Sequence, residues 1–178
     1  MSHENPALKD GGWYAIMNAK NFQYLTRNSD GSFTLENAKD ANAFDQTFQV
    51  SIKDDAHHTF SLKSSVDDKY LAAGSMAPSG SSLRGLNSDS SVNYAVWTPS
   101  TEFIGVYTWF FILSSGGGTV LDADSDGNVS CKPRKTNGWP YNQGWRFIVV
   151  DGSDEEENDK KRIKRQKQLI KARKEANS

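Results

Sequence analysis

The sequence predicts an all-β protein assembled from three copies of one four-stranded unit. Two observations carry that expectation. Short stretches of period-2 hydrophobicity, bounded by turn residues, dominate the first 150 positions, and a set of landmarks recurs three times in phase. An aromatic opens each segment at Tyr14, Phe60 and Phe110, and a leucine follows eleven residues later at Leu25, Leu71 and Leu121. An aromatic closes each segment at Phe48, Trp97 and Trp145, so the closures lie 49 and 48 residues apart. Two closures carry a glutamine two places earlier, in Gln46-Thr47-Phe48 and Gln143-Gly144-Trp145. Self-similarity at a fixed period of this size marks a repeat architecture.

The elements follow in order. Trp13-Tyr14-Ala15-Ile16 opens the first unit as a strand with one buried face, and Thr59-Phe60-Ser61-Leu62 opens the second. The third opener lies in Trp109-Phe110-Phe111-Ile112-Leu113, the densest apolar run in the chain and far short of a membrane span. Next come the leucine strands at Tyr24-Leu25, Tyr70-Leu71 and Val120-Leu121. Turn signals follow at Asn28-Ser29-Asp30-Gly31, Pro78-Ser79-Gly80-Ser81 and Asp124-Ser125-Asp126-Gly127. Gly31 and Gly127 both stand six residues after their leucines, whereas the second turn arrives three residues late and marks an insertion. A strand after each turn and a closing strand, such as Trp145-Arg146-Phe147-Ile148-Val149, complete the unit.

A four-stranded unit of this length cannot bury both faces alone, so the three share one core. Three such units make a closed pseudo-threefold barrel with a hairpin cap, the β-trefoil, and closure removes exposed sheet edges. A propeller is the competing architecture, because its blades are also four-stranded and recur at about 40–50 residues, but three blades are too few. The predicted repeats span about 11–55, 56–104 and 105–150, preceded by a disordered arm over 1–10.

From Asp151 the pattern changes. Ser153-Asp154-Glu155-Glu156 matches a capping box, acidic residues fill the first turn, and basic residues follow through Lys174. Glu156 and Lys160, like Glu157 and Lys161, form favourable i,i+4 pairs. Apolar residues are few, chiefly Ile163, Leu169 and Ile170, so the expectation over 151–178 is a charged, helical, solvated tail. Its basic cluster at 160–167 suits nuclear import, an anionic surface or a protein partner.

Net charge of −1 gives no general reason to expect nucleic acid or anionic membrane as partner. Cys131 is the sole cysteine, so no internal disulfide framework exists, which favours a reducing compartment. The polar N-terminus, Met1 to Asp10, has no apolar stretch of signal-peptide length. These features together predict a soluble, cytoplasmic protein.

The chemistry concentrates in the third unit. It reads Val120-Leu121-Asp122-Ala123-Asp124-Ser125-Asp126-Gly127-Asn128-Val129 and ends in Asn142-Gln143-Gly144-Trp145. On these residues the chain, over about 11–150, resembles the ricin-B-type β-trefoil lectins with their Q-x-W signature, most of all the small fungal and toxin-associated members. The resemblance implies a non-catalytic carbohydrate-binding protein, without cofactor, whose partners are glycans or glycoconjugates. It also implies roles for single residues. Asp122, after the Val-Leu pair, would accept hydrogen bonds from sugar hydroxyls; Asn142 would add polar contacts; Gln143 would brace the strand from behind. A carboxylate accepts bidentately from adjacent hydroxyls, and charge-assisted bonds are the stronger kind.

A sugar also presents an apolar C–H face that suits an aromatic plane. The family places that aromatic on the strand after the Gly turn, here Val129-Ser130-Cys131-Lys132-Pro133, where Lys132 holds the position. Trp139 and Tyr141, in the loop from Asn137 to Asn142, are the replacements, and either could instead plug the barrel. Units one and two are degenerate at the matching places. Thr26 and Ala72 stand for the aspartate, and Asp45 and Tyr94 for the asparagine. Gln46 and Gln143 are expected to serve the fold by pairing with buried backbone. One weak site would need multivalency, through a homo-oligomer or a multivalent glycan.

Other motifs carry less. Asp122 to Gly127 matches the opening of an EF-hand loop, but the twelfth position is Pro133 and the repeat alignment makes the stretch a hairpin turn. His57-His58 has no partner at metal-ligand spacing, and Cys131 lacks an evident His partner. No Gly-x-Ser-x-Gly elbow or phosphate loop occurs, so the chain does not read as an enzyme. Two other readings remain open: a protein-interaction trefoil of the actin-binding or protease-inhibitor kind, and an accessory domain of an enzyme or toxin.

Overall fold

The same turn is built twice, and it fixes where two of the hairpins reverse. Asn28 N–H donates to Ser32 O at 2.9 Å and Gly31 N–H to Asn28 O at 3.0 Å; Asp124 N–H donates to Asn128 O at 2.9 Å and Gly127 N–H to Asp124 O at 3.1 Å. Gly31 and Gly127 hold φ of 90° and 82°, a left-handed conformation that costs glycine little. The computed structural model describes residues 8–39, 44–54, 59–74, 80–89, 95–104, 109–114, 119–137 and 140–150, together with Lys171 and Glu175. The rest of the tail expected over 151–178, including its basic cluster, lies outside these residues, as do His57, His58, Tyr94 and Trp139.

Twelve strands occur among the described residues, four in each repeat. The first repeat supplies β1 (Trp13–Asn18), β2 (Tyr24–Arg27), β3 (Phe33–Glu36) and β4 (Phe48–Asp54). The second supplies β5 (Thr59–Ser64), β6 (Tyr70–Ala73), β7 (Ser81–Leu86) and β8 (Trp97–Ile104), and the third β9 (Trp109–Ser114), β10 (Thr119–Ala123), β11 (Val129–Pro133) and β12 (Trp145–Val149). Six of them close a ring of antiparallel pairs in the order β1, β4, β5, β8, β9, β12 and back to β1. The remaining six form the hairpins β2–β3, β6–β7 and β10–β11. These hairpins join through β7–β11 pairing and a bridge from Thr34 to Asn128.

The register explains the sequence landmarks. Each opening aromatic lies opposite the closing aromatic of its own repeat: Tyr14 with Phe48, Phe60 with Trp97, Phe110 with Trp145. The two closing tryptophans also use their indole N–H. Trp97 Nε1 donates to Leu71 O at 2.9 Å and Trp145 Nε1 to Leu121 O at 3.0 Å, which ties each closing strand to its leucine strand. Phe48 has no such donor. Below these layers Phe147 meets Tyr14 edge-on at 5.7 Å and Phe60 edge-on at 5.5 Å, joining all three repeats in one core.

The insertion expected in the second unit falls in its hairpin loop. Paired residues at the hairpin ends are six apart in Arg27–Phe33 and Ala123–Val129 but ten apart in Ala73–Leu83. Residues 8–10, expected in a disordered arm, are instead tied to the barrel. Leu8 packs against the core, Lys9 N–H donates to Tyr14 Oη at 2.8 Å, and Asp10 Oδ1 accepts from Ile52 N–H at 2.9 Å.

Two further features depart from threefold symmetry. Arg27 is buried where the other repeats have Ala73 and Ala123. Its guanidinium lies 3.0 Å from Asp67 Oδ2, donates to Gly31 O and covers the Phe33 ring at 4.7 Å. A Cβ on Gly85 would collide with it, so glycine in β7 makes room for a side chain from the neighbouring repeat. The second departure is Phe22, which adopts φ of 56° at a turn position where the second repeat has Asp68 at 57° and the third has Gly118 in sequence. Aspartate and glycine adopt that conformation at little cost; phenylalanine adopts it at a higher one.

Replacing Arg27 by Met strands the Asp67 carboxylate and is expected to lower stability by about 3 kcal/mol. Urea unfolding reads this as a lower midpoint at unchanged slope, with Asp67→Asn restoring part of the loss. Phe22→Asn is expected to raise the midpoint, worth about 1 kcal/mol, by relieving the left-handed backbone.

Candidate functional site

The site begins with a buried glutamine. Gln143, at the end of a 3-10 turn over Tyr141–Gln143, is wholly buried. Its Oε1 accepts from Lys135 N–H at 2.9 Å, and its Nε2 donates to Pro133 O at 3.0 Å and Asp122 Oδ2 at 2.9 Å. Gln46 repeats the pattern in the first repeat, accepting from Lys39 N–H at 3.0 Å and donating to Asn37 O at 2.9 Å and Thr26 Oγ1 at 3.2 Å. Both glutamines therefore pin the chain between the third and fourth strands of their repeat to its second strand. The second repeat has Ala95 in this place and lacks the device.

What the glutamine positions differs between the two copies. In the third repeat it holds Asp122, whose side chain is only 2% exposed. Asp122 Oδ2 also accepts from Asn142 Nδ2 at 3.0 Å, while Oδ1 lies 3.6 Å from Lys132 Nζ, and the Lys132 side chain is 47% exposed. Asn142 Oδ1 in turn accepts from Lys135 Nζ at 3.2 Å. Asp122, Lys132, Asn142 and Gln143 are thus brought together. They line one cleft of about 410 Å³ with Lys20, Ala123, Asp124, Ser125, Pro133 and Lys135.

Tyr141 is 40% exposed but is not among the residues lining this cleft. Trp139, the other expected aromatic, falls outside the described residues. Two lining residues escaped the sequence reading. Lys135 was legible in principle, since it occupies the place of Lys39 in the first repeat. Lys20 comes from the β1–β2 turn of the first repeat, brought alongside because the barrel closes. Ala19 N–H donates to Gly144 O at 2.9 Å, and Asn18 Nδ2 donates to Asn142 O and Gly144 O, both at 3.2 Å.

Asp124 at the rim serves the turn. Its Oδ1 accepts from Asn128 N–H and Asp126 N–H, each at 2.9 Å. These bonds, the one from Asn128 above all, hold its carboxyl below the ordinary carboxylate range. Among the described residues no group of His, Cys, Asp and Glu is placed to hold a metal ion. Burial pushes the Cys131 thiol up to about 12, so it is no nucleophile at neutral pH.

No protein-family model matches the chain, and no curated protein matches it in sequence. Solved structures do match. A Polyporus squamosus lectin bound to the human-type influenza-binding epitope Neu5Acα2-6Galβ1-4GlcNAc superposes with a TM-score of 0.62 at 18% identity, over 80% of this chain and 50% of that one. The chain spans about half the length of that protein. A ricin B-like lectin of Macrolepiota procera in complex with lactose gives 0.63 at 15% identity, over 80% of this chain and 98% of that one. SeviL bound to asialo-GM1 saccharide gives 0.62 at 13% identity, over 79% and 99%. The fold is a β-trefoil. Its structural neighbours include glycan-binding lectins that share the architecture at low identity.

Because the folded state lowers the pKa of Asp124, its carboxylate adds stability above the unfolded value near 3.8, and this is lost as pH falls through the lower folded value. The difference in urea midpoint between wild type and Asp124→Asn is therefore expected to be widest at neutral pH and to narrow below about pH 4.

Proposed function

We propose that this protein is a lectin-like, non-catalytic binder of glycans that uses the cleft of its third repeat. The observation that carries the reading is the Asp122–Asn142–Gln143 arrangement at the cleft, built on a frame that the first repeat keeps without the aspartate. A sugar hydroxyl both donates and accepts. Asn142 Oδ1 offers an acceptor to it and the Lys132 ammonium a donor, while Asp122 Oδ1 lies at the floor of the cleft, 3.6 Å from Lys132 Nζ. Asn142 and Gln143 fix the carboxylate in advance, so little ordering remains to be done on binding. The sugars named with the structural neighbours, among them lactose and the asialo-GM1 saccharide, support the same ligand class.

Turnover is not part of the reading. Glycoside hydrolysis needs one carboxyl kept protonated by a raised pKa, and the Asp124 carboxyl is shifted the other way. Neutral hydrogen bonds contribute about 0.5–1.5 kcal/mol each, and an affinity near 1 mM needs about 4.1 kcal/mol, so a single cleft of this kind binds weakly. Multivalent display, by oligomerisation or on the glycan itself, would supply the rest.

A glycan array followed by titration calorimetry tests the proposal. Asn142→Ala is expected to weaken binding by about tenfold, equivalent to roughly 1.4 kcal/mol. Asp45→Ala, the matching change in the first repeat, is expected to bind as wild type does. Retention of no glycan, or wild-type affinity in Asn142→Ala, refutes the assignment.

A further inference from the structure

The first and third repeats build the same frame and then give it opposite charge. Register makes the comparison residue by residue, since Glu36 pairs with Tyr24 as Lys132 pairs with Val120. Glu36 therefore occupies the place of Lys132. Lys39 and Lys135 both give their backbone N–H to the bracing glutamine, but their ammonium groups meet different partners. Lys39 Nζ is paired with the Asp45 carboxylate, whereas Lys135 Nζ meets the neutral amide oxygen of Asn142. One charge is cancelled and the other is not.

The neighbouring repeat continues the contrast. The β5–β6 turn docks on the first repeat through Ser65 N–H to Thr47 O at 3.1 Å, as the β1–β2 turn docks on the third through Ala19 N–H to Gly144 O at 2.9 Å. At the position of Lys20 the docking turn of the first repeat carries Val66, which is buried. The third cleft thus collects three exposed lysines, Lys20, Lys132 and Lys135, of which Lys132 lies 3.6 Å from the Asp122 carboxylate. Its two carboxylates, on Asp122 and Asp124, each already accept two hydrogen bonds from amide N–H groups. Asp122 is moreover turned inward and almost sealed from solvent. Three ammonium groups stand against the two carboxylates of Asp122 and Asp124, so the cleft carries an excess of positive charge.

We infer that the cleft selects acidic glycans, taking a sugar's carboxylate or sulfate group between Lys20, Lys132 and Lys135 while the Asn142 amide holds its hydroxyls. The inference rests on the glycan-binding reading and names the ligand class for that site. The anion also fits a surface that has lysine where a stacking aromatic would stand. A flat C–H face gains nothing from an ammonium, whereas an anionic substituent gains a charge-assisted hydrogen bond.

The test uses the full chain on an array of matched pairs, in which each neutral glycan stands beside its sialylated and its sulfated form. Acidic members are expected to bind about five- to tenfold more tightly than their neutral counterparts at low salt. The preference is expected to shrink as salt is raised past about 0.1 M, where the screening length falls to about 10 Å. Lys20→Gln combined with Lys135→Gln should bring the acidic-to-neutral ratio close to one, while Lys39→Gln, the first-repeat counterpart, should leave it unchanged. Sialylated and sulfated arms separate a carboxylate preference from a sulfate preference, and either supports the inference. Equal binding of neutral and acidic members overturns it and leaves glycan binding standing. So does a preference that survives in Lys20→Gln/Lys135→Gln. Retention of no glycan on the array overturns both readings together.

Discussion

Each repeat closes on itself where its first and last strands meet. The pairing of opening and closing aromatics, Tyr14 with Phe48, Phe60 with Trp97 and Phe110 with Trp145, is the constraint on which the rest depends. It sets the ends of the six barrel strands, and Trp97 and Trp145 then reach the leucine carbonyls that carry the hairpins. A backbone carbonyl buried beside an apolar core needs a donor, and the indole supplies one without bringing in water. The hairpin cap is hung from the barrel at these points. The cleft is in turn hung from the third hairpin.

The fold was legible because its signals are periodic. In-phase aromatics, leucines and glycines reflect backbone geometry that every repeat must satisfy, so three weak local patterns reinforce one another. Gln46 and Gln143 were legible for the same reason, and the buried pairing expected of them is what both side chains make. The candidate site's geometry was legible only in part. Asp122 and Asn142 stand next to strong landmarks, but the sequence holds no sign that Asp122 would face Asn142 and Gln143 rather than open solvent. Lys20 lay beyond reach because it adjoins Asn142 only after the first and last strands of the barrel have paired. Arg27 escaped too, since a charged residue at a core position of β2 reads as a break in the pattern until Asp67 and Gly85 are seen around it.

The position of the cleft follows from this closure. A repeat protein that ends where it begins has seams between repeats rather than free ends, and the seam between the third repeat and the first carries the polar groups. Lys20 of the first repeat meets the third repeat there, so the cleft is complete only when the barrel is closed. Partial unfolding of either terminal strand would dismantle it before the core of the second repeat was disturbed.

Arg27 and Gly85 have a consequence for how this chain was assembled and how it can be rebuilt. A large buried cation from one repeat occupies space vacated by a glycine in the next, and its counterion comes from a third place, the β5–β6 turn. The repeats have ceased to be interchangeable modules. A chain made by triplicating the first repeat would bring three arginines against Leu35, with Arg27's partners Asp67 and Gly85 both missing. A circular permutant that keeps all three in cyclic order would retain every one of these contacts. Order among the repeats, more than likeness between them, is now what the sequence encodes.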